Sequence, residues 1–92
     1  MAQNTTISLV AGQWTAITNS TCTAIRVDPN GATVEIQATV GAVAPGAVAP
    51  GSVVISQPTF MKLNEIWIGV AGADRVYARA VYVAANVSVS HD

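Results

Sequence analysis

The sequence has few residues that ionise, bind metals or act as nucleophiles. It contains one histidine, one cysteine and nine charged side chains, and charged residues make up 10% of the chain, where about 25% is typical of globular domains. Catalysis near neutral pH normally depends on positioned acids, bases and nucleophiles. The composition therefore predicts a protein that is not an enzyme and has no catalytic residue and no cofactor.

The scarcity of charge also argues against several kinds of partner. Only four basic residues are present, and nucleic-acid binding depends on clustered lysine and arginine that displace counterions from phosphates. No uninterrupted apolar stretch approaches the roughly 20 residues of a membrane-spanning helix. Residues 1–6 show no basic start followed by an apolar run, the mark of a secretory signal. We therefore expect a soluble protein made in the cytoplasm, with neither a nucleic-acid nor a membrane partner.

Three residues deserve individual assessment as reactive groups. Cys22 cannot form an internal disulfide, and its strand-like surroundings predict a buried, inert thiol. His91 is next to the last residue, where fraying disturbs alignment, so we expect a surface histidine. One histidine and one cysteine do not supply the three or four ligands of a zinc site, so no metal site is predicted. Glu35 alternates with apolar neighbours, which predicts a solvated or ion-paired carboxylate rather than a general acid.

Hydrophobic residues fill the chain instead, at 51% of the total. A chain of this length makes one domain and buries roughly two-thirds of the surface that its unfolded form exposes. One small core cannot take up so many apolar side chains, so we expect part of them to lie on a surface that another chain covers.

Period-two alternation of apolar and polar residues predicts about eight short strands. They cover residues 6–9, 13–18, 22–28, 32–40, 52–57, 75–83 and 86–90, with an extended or turn segment at 60–65 and a short apolar run at 66–70 that should be buried on both sides. Trp67, in that run, is expected in the core. No segment has helical periodicity. The pattern predicts an all-β fold, an antiparallel β-sandwich, jelly roll or small barrel, as one domain at 7–92 after a flexible N-terminal arm at 1–6.

Two segments carry clear turn or loop signals. Asp-Pro-Asn-Gly at residues 28–31 predicts a tight hairpin, because proline presets one turn dihedral and glycine accepts the left-handed conformation after it. The strand that follows should turn one face to the core and the other to water. Residues 41–50 repeat Gly-Ala-Val-Ala-Pro twice and precede Gly51, which predicts an exposed loop at 41–51. That loop either contacts another chain or is a flexible spacer.

The predicted strand at 75–83 has no clearly polar face. Tyr77, Arg79, Val81 and Val83 share one side by alternation, and that side is too apolar for open water. Tyrosine and arginine are enriched at the anchor points of protein interfaces. These four residues are therefore the predicted subunit interface.

Three segments carry a resemblance to a known group of proteins. They are Gln-Trp-Thr-Ala-Ile-Thr at 13–18, Trp-Ile-Gly-Val-Ala-Gly-Ala-Asp-Arg-Val-Tyr-Ala-Arg-Ala at 67–80, and Val-Ser-Val-Ser-His-Asp at 87–92. The chain resembles small tailed-phage virion proteins, in which a tryptophan follows the first strand, a Gly-x-Asx-Arg-Val-Tyr/Trp-Ala-Arg segment precedes the last hairpin, and the end reads Val-x-Val-Ser-His. The resemblance covers most of the chain but not the Gly-Ala-Val-Ala-Pro repeat.

The resemblance implies a β-sandwich or jelly-roll module, often trimeric, that sits on a capsid as a cement or decoration protein. We therefore expect a structural virion protein that stabilises a bacteriophage capsid as a homotrimer, with the major capsid protein as its partner and the capsid surface as its location. The alternative is a tail or tail-fibre module that binds host carbohydrate through an exposed aromatic such as Tyr77.

Overall fold

A computed structural model describes residues 3–18, 20–46 and 51–92, which form eight β-strands and one short helix. In chain order the elements are β1 (Gln3–Leu9), β2 (Thr15–Ala16), β3 (Ala24–Asp28), β4 (Val34–Thr39), β5 (Val53–Ile55), β6 (Thr59–Lys62), α1 (Leu63–Ile66), β7 (Arg75–Ala80) and β8 (Ala85–His91). No helix among these residues is both long and apolar enough to span a bilayer. The predicted all-β class is confirmed.

The strands form two antiparallel four-stranded sheets. The strand order is β1-β8-β3-β6 in the first sheet and β2-β7-β4-β5 in the second. Except for β4 and β5, strands that follow each other along the chain lie in different sheets. This alternation of strands between two sheets is the arrangement of a jelly roll. The predicted antiparallel sandwich is therefore confirmed, and the strand order, which periodicity leaves open, is that of a jelly roll.

The core lies between the two sheets because alternate residues of each strand face inward. In the second sheet, Ile36 of β4 is paired with Ala78 of β7, so a large side chain lies beside a small one. The first sheet contributes inward residues such as Ile25 and Val87, and all four are fully buried. Burying one such aliphatic side chain contributes about 1.5–3 kcal/mol. The prediction that Trp67 lies in this core is confirmed.

Residues 28–31 form a tight turn, but the predicted hairpin is wrong. The amide of Ala32 donates to the carbonyl of Pro29 at 3.0 Å, and Asn30 and Gly31 have positive φ angles of 53° and 87°. The strands on either side, β3 and β4, belong to different sheets. The turn therefore carries the chain across the sandwich, because the tertiary arrangement and not the turn type decides which strands pair.

The predictions for residues 3–6 and for the run at 66–70 are wrong. Residues 3–6, assigned to a flexible arm, belong to β1 and pair with the last strand, from Gln3 opposite His91 onward. Residues 1–2 lie outside the described part.

In the run at 66–70 only Trp67 is buried, and Ile68 is 81% exposed. The run begins at the last residue of α1 and contains no strand, so it is not buried on both sides, although Trp67 reaches the core.

Candidate functional site

The structure does not place the four predicted interface residues on one exposed face. Tyr77 and Arg79 lie on the outer side of β7, whereas β7 ends at Ala80, so Val81 and Val83 belong to the turn before β8. Tyr77 is only 8% exposed within the single chain, which leaves little of it for a partner to cover. Alternation assigned the four to one face because the end of the strand has no signal in the sequence.

A network of side chains covers the outer face of the second sheet. The guanidinium Nε of Arg79 donates to Glu35 Oε1 at 2.6 Å, and its Cζ lies 4.3 Å from the centre of the Trp14 ring. Ser52 donates a further hydrogen bond to Glu35. These hydrogen bonds, from Arg79 first and then from Ser52, lower the pKa of Glu35. Of the two states predicted for Glu35, solvated or ion-paired, the structure shows the ion-paired one.

The expectation that this face of β4 meets water is wrong. Gln37, on the same side of β4 as Glu35, is only 9% exposed. The predicted loop contributes to this region, because Trp14 Nε1 donates to the carbonyl of Gly46 at 2.9 Å. Residues 41–46 and 51 form no strand, and residues 47–50 of the predicted loop lie outside the described part. Part of the repeat is therefore held against this side of the protein.

The turn between β7 and β8 forms an apolar surface together with the residue that follows β1. We call this surface the apolar tip: Val10, Val81, Tyr82 and Val83, which are 54%, 37%, 78% and 70% exposed. The two segments are neighbours because Leu9 pairs with Ala85 and Ala11 forms a bridge with Ala80. Two of the predicted interface residues are therefore exposed, but beside Val10 and Tyr82 rather than Tyr77.

The sequence analysis missed Val10 and Tyr82. Continued alternation to residue 83 put Tyr82 on the side of Val76 and Ala78, which faces the core. The Tyr-Val-Ala-Ala-Asn run at 82–86 contains no proline or glycine, so the sequence does not signal that the strand ends before Tyr82. Neither residue could be assigned to a surface without the pairing of β1 with β8.

The apolar tip continues into an open sheet edge. β1 pairs with β8 on one side, and no described strand pairs with its other side. Its sequence, Gln-Asn-Thr-Thr-Ile-Ser-Leu, contains no charged residue and no proline. Natural edge strands are commonly protected by charges, proline or bulges, because their free amide and carbonyl groups can pair with another chain. The β1 strand therefore has neither a charged residue nor a proline to protect its edge.

Other large apolar side chains are exposed away from the tip. They are Val40, Val43, Val54, Phe60, Ile66 and Ile68. Phe60 lies on β6, at the edge of the first sheet opposite β1. The exposed apolar residues are therefore spread over the protein. The edge strand β5, which carries Val54, is also uncharged but has three residues, so the tip is distinguished by lying next to the longer uncharged edge of β1, which has seven.

Cys22 and His91 are both buried. The predicted burial of Cys22 is confirmed, and burial, followed by the nearby carboxylates of Asp92 and Asp74, raises the pKa of its thiol to about 11. A neutral, enclosed thiol is a poor nucleophile near pH 7. The prediction of a surface histidine is wrong, because His91 is the last residue of β8 and is only 5% exposed. Pairing with both β1 and β3 prevents the expected fraying.

Comparison with known proteins identifies no relative of this chain. No family model, no curated protein and no solved structure matches the chain.

Proposed function

We propose that the protein is a structural virion protein that decorates or cements a tailed-phage capsid as a homotrimer. The observation that carries the proposal is the uncharged surface made by the β1 edge and the apolar tip. This surface has the properties of an association site: a strand edge that no described strand pairs with, and exposed apolar side chains on the two neighbouring segments at its end. The sequence resemblance to small virion proteins supports the same function.

The physical basis of cementing is mass action. A protein that binds the assembled shell but not its free subunits stabilises the shell in proportion to its binding free energy. Such a protein needs complementary faces and no chemistry. Jelly rolls occur in viral capsid proteins and in lectins alike, so the fold permits this function without selecting it.

Self-association can be tested by light scattering on purified protein over a range of concentrations. We expect a trimer, weakened in Tyr82→Ser and Val83→Ser because each removes apolar area from the tip. Ile68→Ser is the matched control, since Ile68 is equally exposed but lies outside the tip. A monomer at all concentrations, or equal weakening by the control, would contradict the proposed surface.

Capsid binding needs a separate experiment with phage heads that lack the protein. We expect it to co-sediment with the heads and to raise the temperature at which they release DNA. If the protein ignores heads but binds a glycan array through Tyr82, the carbohydrate-binding alternative is correct. That alternative has less support, because Tyr77 is buried and the two exposed aromatics do not share a strand: Phe60 lies on β6, and Tyr82 lies in the turn between β7 and β8.

A further inference from the structure

The fold brings the only cysteine and the only histidine of the chain together with a carboxylate. Cys22 Sγ, a ring nitrogen of His91 and a carboxylate oxygen of Asp92 all lie within 4.8 Å of one another. Cys22 is distant in sequence from the consecutive pair His91 and Asp92, but the fold brings them together because His91 is paired with Ile25, three residues after Cys22. From these positions we propose that Cys22, His91 and Asp92 form a binding site for Zn²⁺.

The donor set suits zinc among the common metal ions. Zn²⁺ is bound by cysteine thiolate, histidine nitrogen and carboxylate oxygen, whereas Mg²⁺ and Ca²⁺ prefer oxygen ligands alone. Binding therefore replaces the S–H bond of Cys22 by a bond to zinc and releases the proton to solvent. Three protein ligands leave a fourth position for water. A surface cavity of about 400 Å³ is lined in part by Cys22 and Asp92, though not by His91, and gives solvent access to these two ligands.

Hydrogen bonds position the backbone of Cys22 and the carboxylate of Asp92, and neither set of bonds occupies every atom that could bind a metal. The amide of Cys22 donates to the carbonyl of Asp74 at 2.9 Å. Asp92 Oδ1 accepts from the amides of Thr23 and Ala24 at 2.9 and 3.1 Å, and Oδ2 accepts from Thr23 Oγ1 at 2.6 Å. A carboxylate has about four lone-pair positions, so one on Oδ2 stays available. Bonds of this kind orient metal ligands from outside the coordination sphere.

His91 supplies a separate reason to expect a ligand. Its Nδ1 is buried and has no hydrogen-bond partner within the described residues. Buried polar atoms are nearly always paired, and leaving one unpaired costs free energy. Coordination of a metal by the ring would remove that cost or orient the ring so that Nδ1 finds a partner.

Binding requires a small contraction of the cluster. Bond lengths of 2.0–2.3 Å in a tetrahedral zinc site place ligand atoms about 3.3–3.8 Å apart. The three ligand atoms lie within 4.8 Å of one another, so the cluster has to draw closer for all three to bind one ion. Because Cys22 precedes β3 and His91 ends β8, the ion would tie these two neighbouring segments together. Such a metal stabilises the folded chain, since the site does not exist in the unfolded one.

The natural chain is itself the sharpest probe, because it has a single cysteine. We would purify it without a polyhistidine tag, remove metals with a chelator and titrate with Co²⁺, which replaces Zn²⁺ in such sites. Binding at the proposed site gives a thiolate-to-cobalt charge-transfer band and the visible bands of four-coordinate Co²⁺, and Zn²⁺ removes both. Absence of the charge-transfer band overturns the proposal without any variant.

Calorimetric titration with Zn²⁺ then assigns the ligands. We expect one ion per chain, a melting temperature that rises with Zn²⁺ concentration, and affinity at least about 100-fold lower in Cys22→Ser and His91→Gln. Glu65→Gln is the control, since it removes an exposed carboxylate outside the cluster. Circular dichroism in chelator shows whether each variant folds. Unchanged affinity in a folded Cys22→Ser variant overturns the proposal, and so does equal loss in Glu65→Gln.

Discussion

Outside the core, the Arg79 side chain interacts with both Glu35 and Trp14. The two charged side chains are 18% and 17% exposed, so both are largely removed from water. Arg79 lies over the indole ring of Trp14 while it pairs with Glu35. A desolvated charge that loses its partner keeps its desolvation cost, so the interactions in this network depend on one another.

Replacing Glu35 by glutamine should therefore destabilise the fold. Glu35→Gln removes the charge that pairs with Arg79, and we expect the free energy of unfolding to fall by about 1–3 kcal/mol in urea denaturation. The matched control is Glu65→Gln, which breaks the exposed pair with Lys62, 3.9 Å apart. That change should cost less than about 1 kcal/mol. Equal losses in the two variants would show that the Glu35 pair contributes no more than a surface pair.

The same carboxylate makes stability depend on pH. Hydrogen bonds from Arg79 and Ser52 lower the pKa of folded Glu35 below its usual value of 4.5. The contribution of a group with a lowered pKa is complete above its unfolded pKa and is lost as the pH falls through its folded pKa. Below pH 4.5 we expect the natural chain to lose stability more steeply than Glu35→Gln. Urea denaturation across that range measures this, and parallel curves would contradict it.

At the scale of elements, the turn between β3 and β4 depends on one residue in an unusual conformation. Asn30 has a φ of 53°, its amide donates to Asp28 Oδ1 at 2.9 Å, and its side-chain Nδ2 donates to the carbonyl of Asn86 at 2.9 Å. Asparagine and glycine tolerate this left-handed conformation better than other residues. The turn is therefore joined to the start of β8 as well as shaped locally.

Substitutions at Asn30 can separate these two contributions. Asn30→Ala loses both the conformational tolerance and the bond to Asn86, whereas Asn30→Gly loses only the bond. We expect the alanine variant to be less stable than the glycine variant by about 1 kcal/mol in urea denaturation. If the two variants are equally stable, backbone conformation is not what selects asparagine at this position.

At the scale of the whole molecule, the first and last strands of the domain pair with each other. Ser8 and Asn86, 78 residues apart in sequence, are opposite each other in β1 and β8 and share a side-chain hydrogen bond of 2.9 Å. Most other strand pairs are also non-local, because consecutive strands alternate between the sheets. Such a topology requires closing long loops before its contacts form.

Refolding should therefore be slow for so small a domain. All-β proteins dominated by non-local pairing fold in milliseconds to seconds, whereas proteins rich in local contacts fold faster. Trp67, buried in the core, is a suitable fluorescence probe in stopped-flow mixing from urea. Complete refolding within microseconds would contradict the strand order described above.

Much of the fold was predictable because strand alternation is a local property. The inward residues of β4 and the position of the turn at 28–31 follow from residue types and their spacing. The covered outer face of the second sheet was not predictable, since it depends on Trp14 and Gly46, which are distant in sequence. The same limit explains why Tyr77 was assigned to a subunit interface although its own chain buries it.

The amino-acid sequence by itself determined that this protein forms one small, strand-rich, weakly charged domain with more apolar side chains than its core can hold. Period-two patterns and composition act over a few residues, and both can be read without knowing any partner. Only the tertiary structure decided that the strands alternate between sheets, that β1 is an open edge beside the apolar tip, and that Cys22 and His91 meet at Asp92. These features arise from strand pairing across nearly the whole chain, and no local pattern encodes which distant strands will pair.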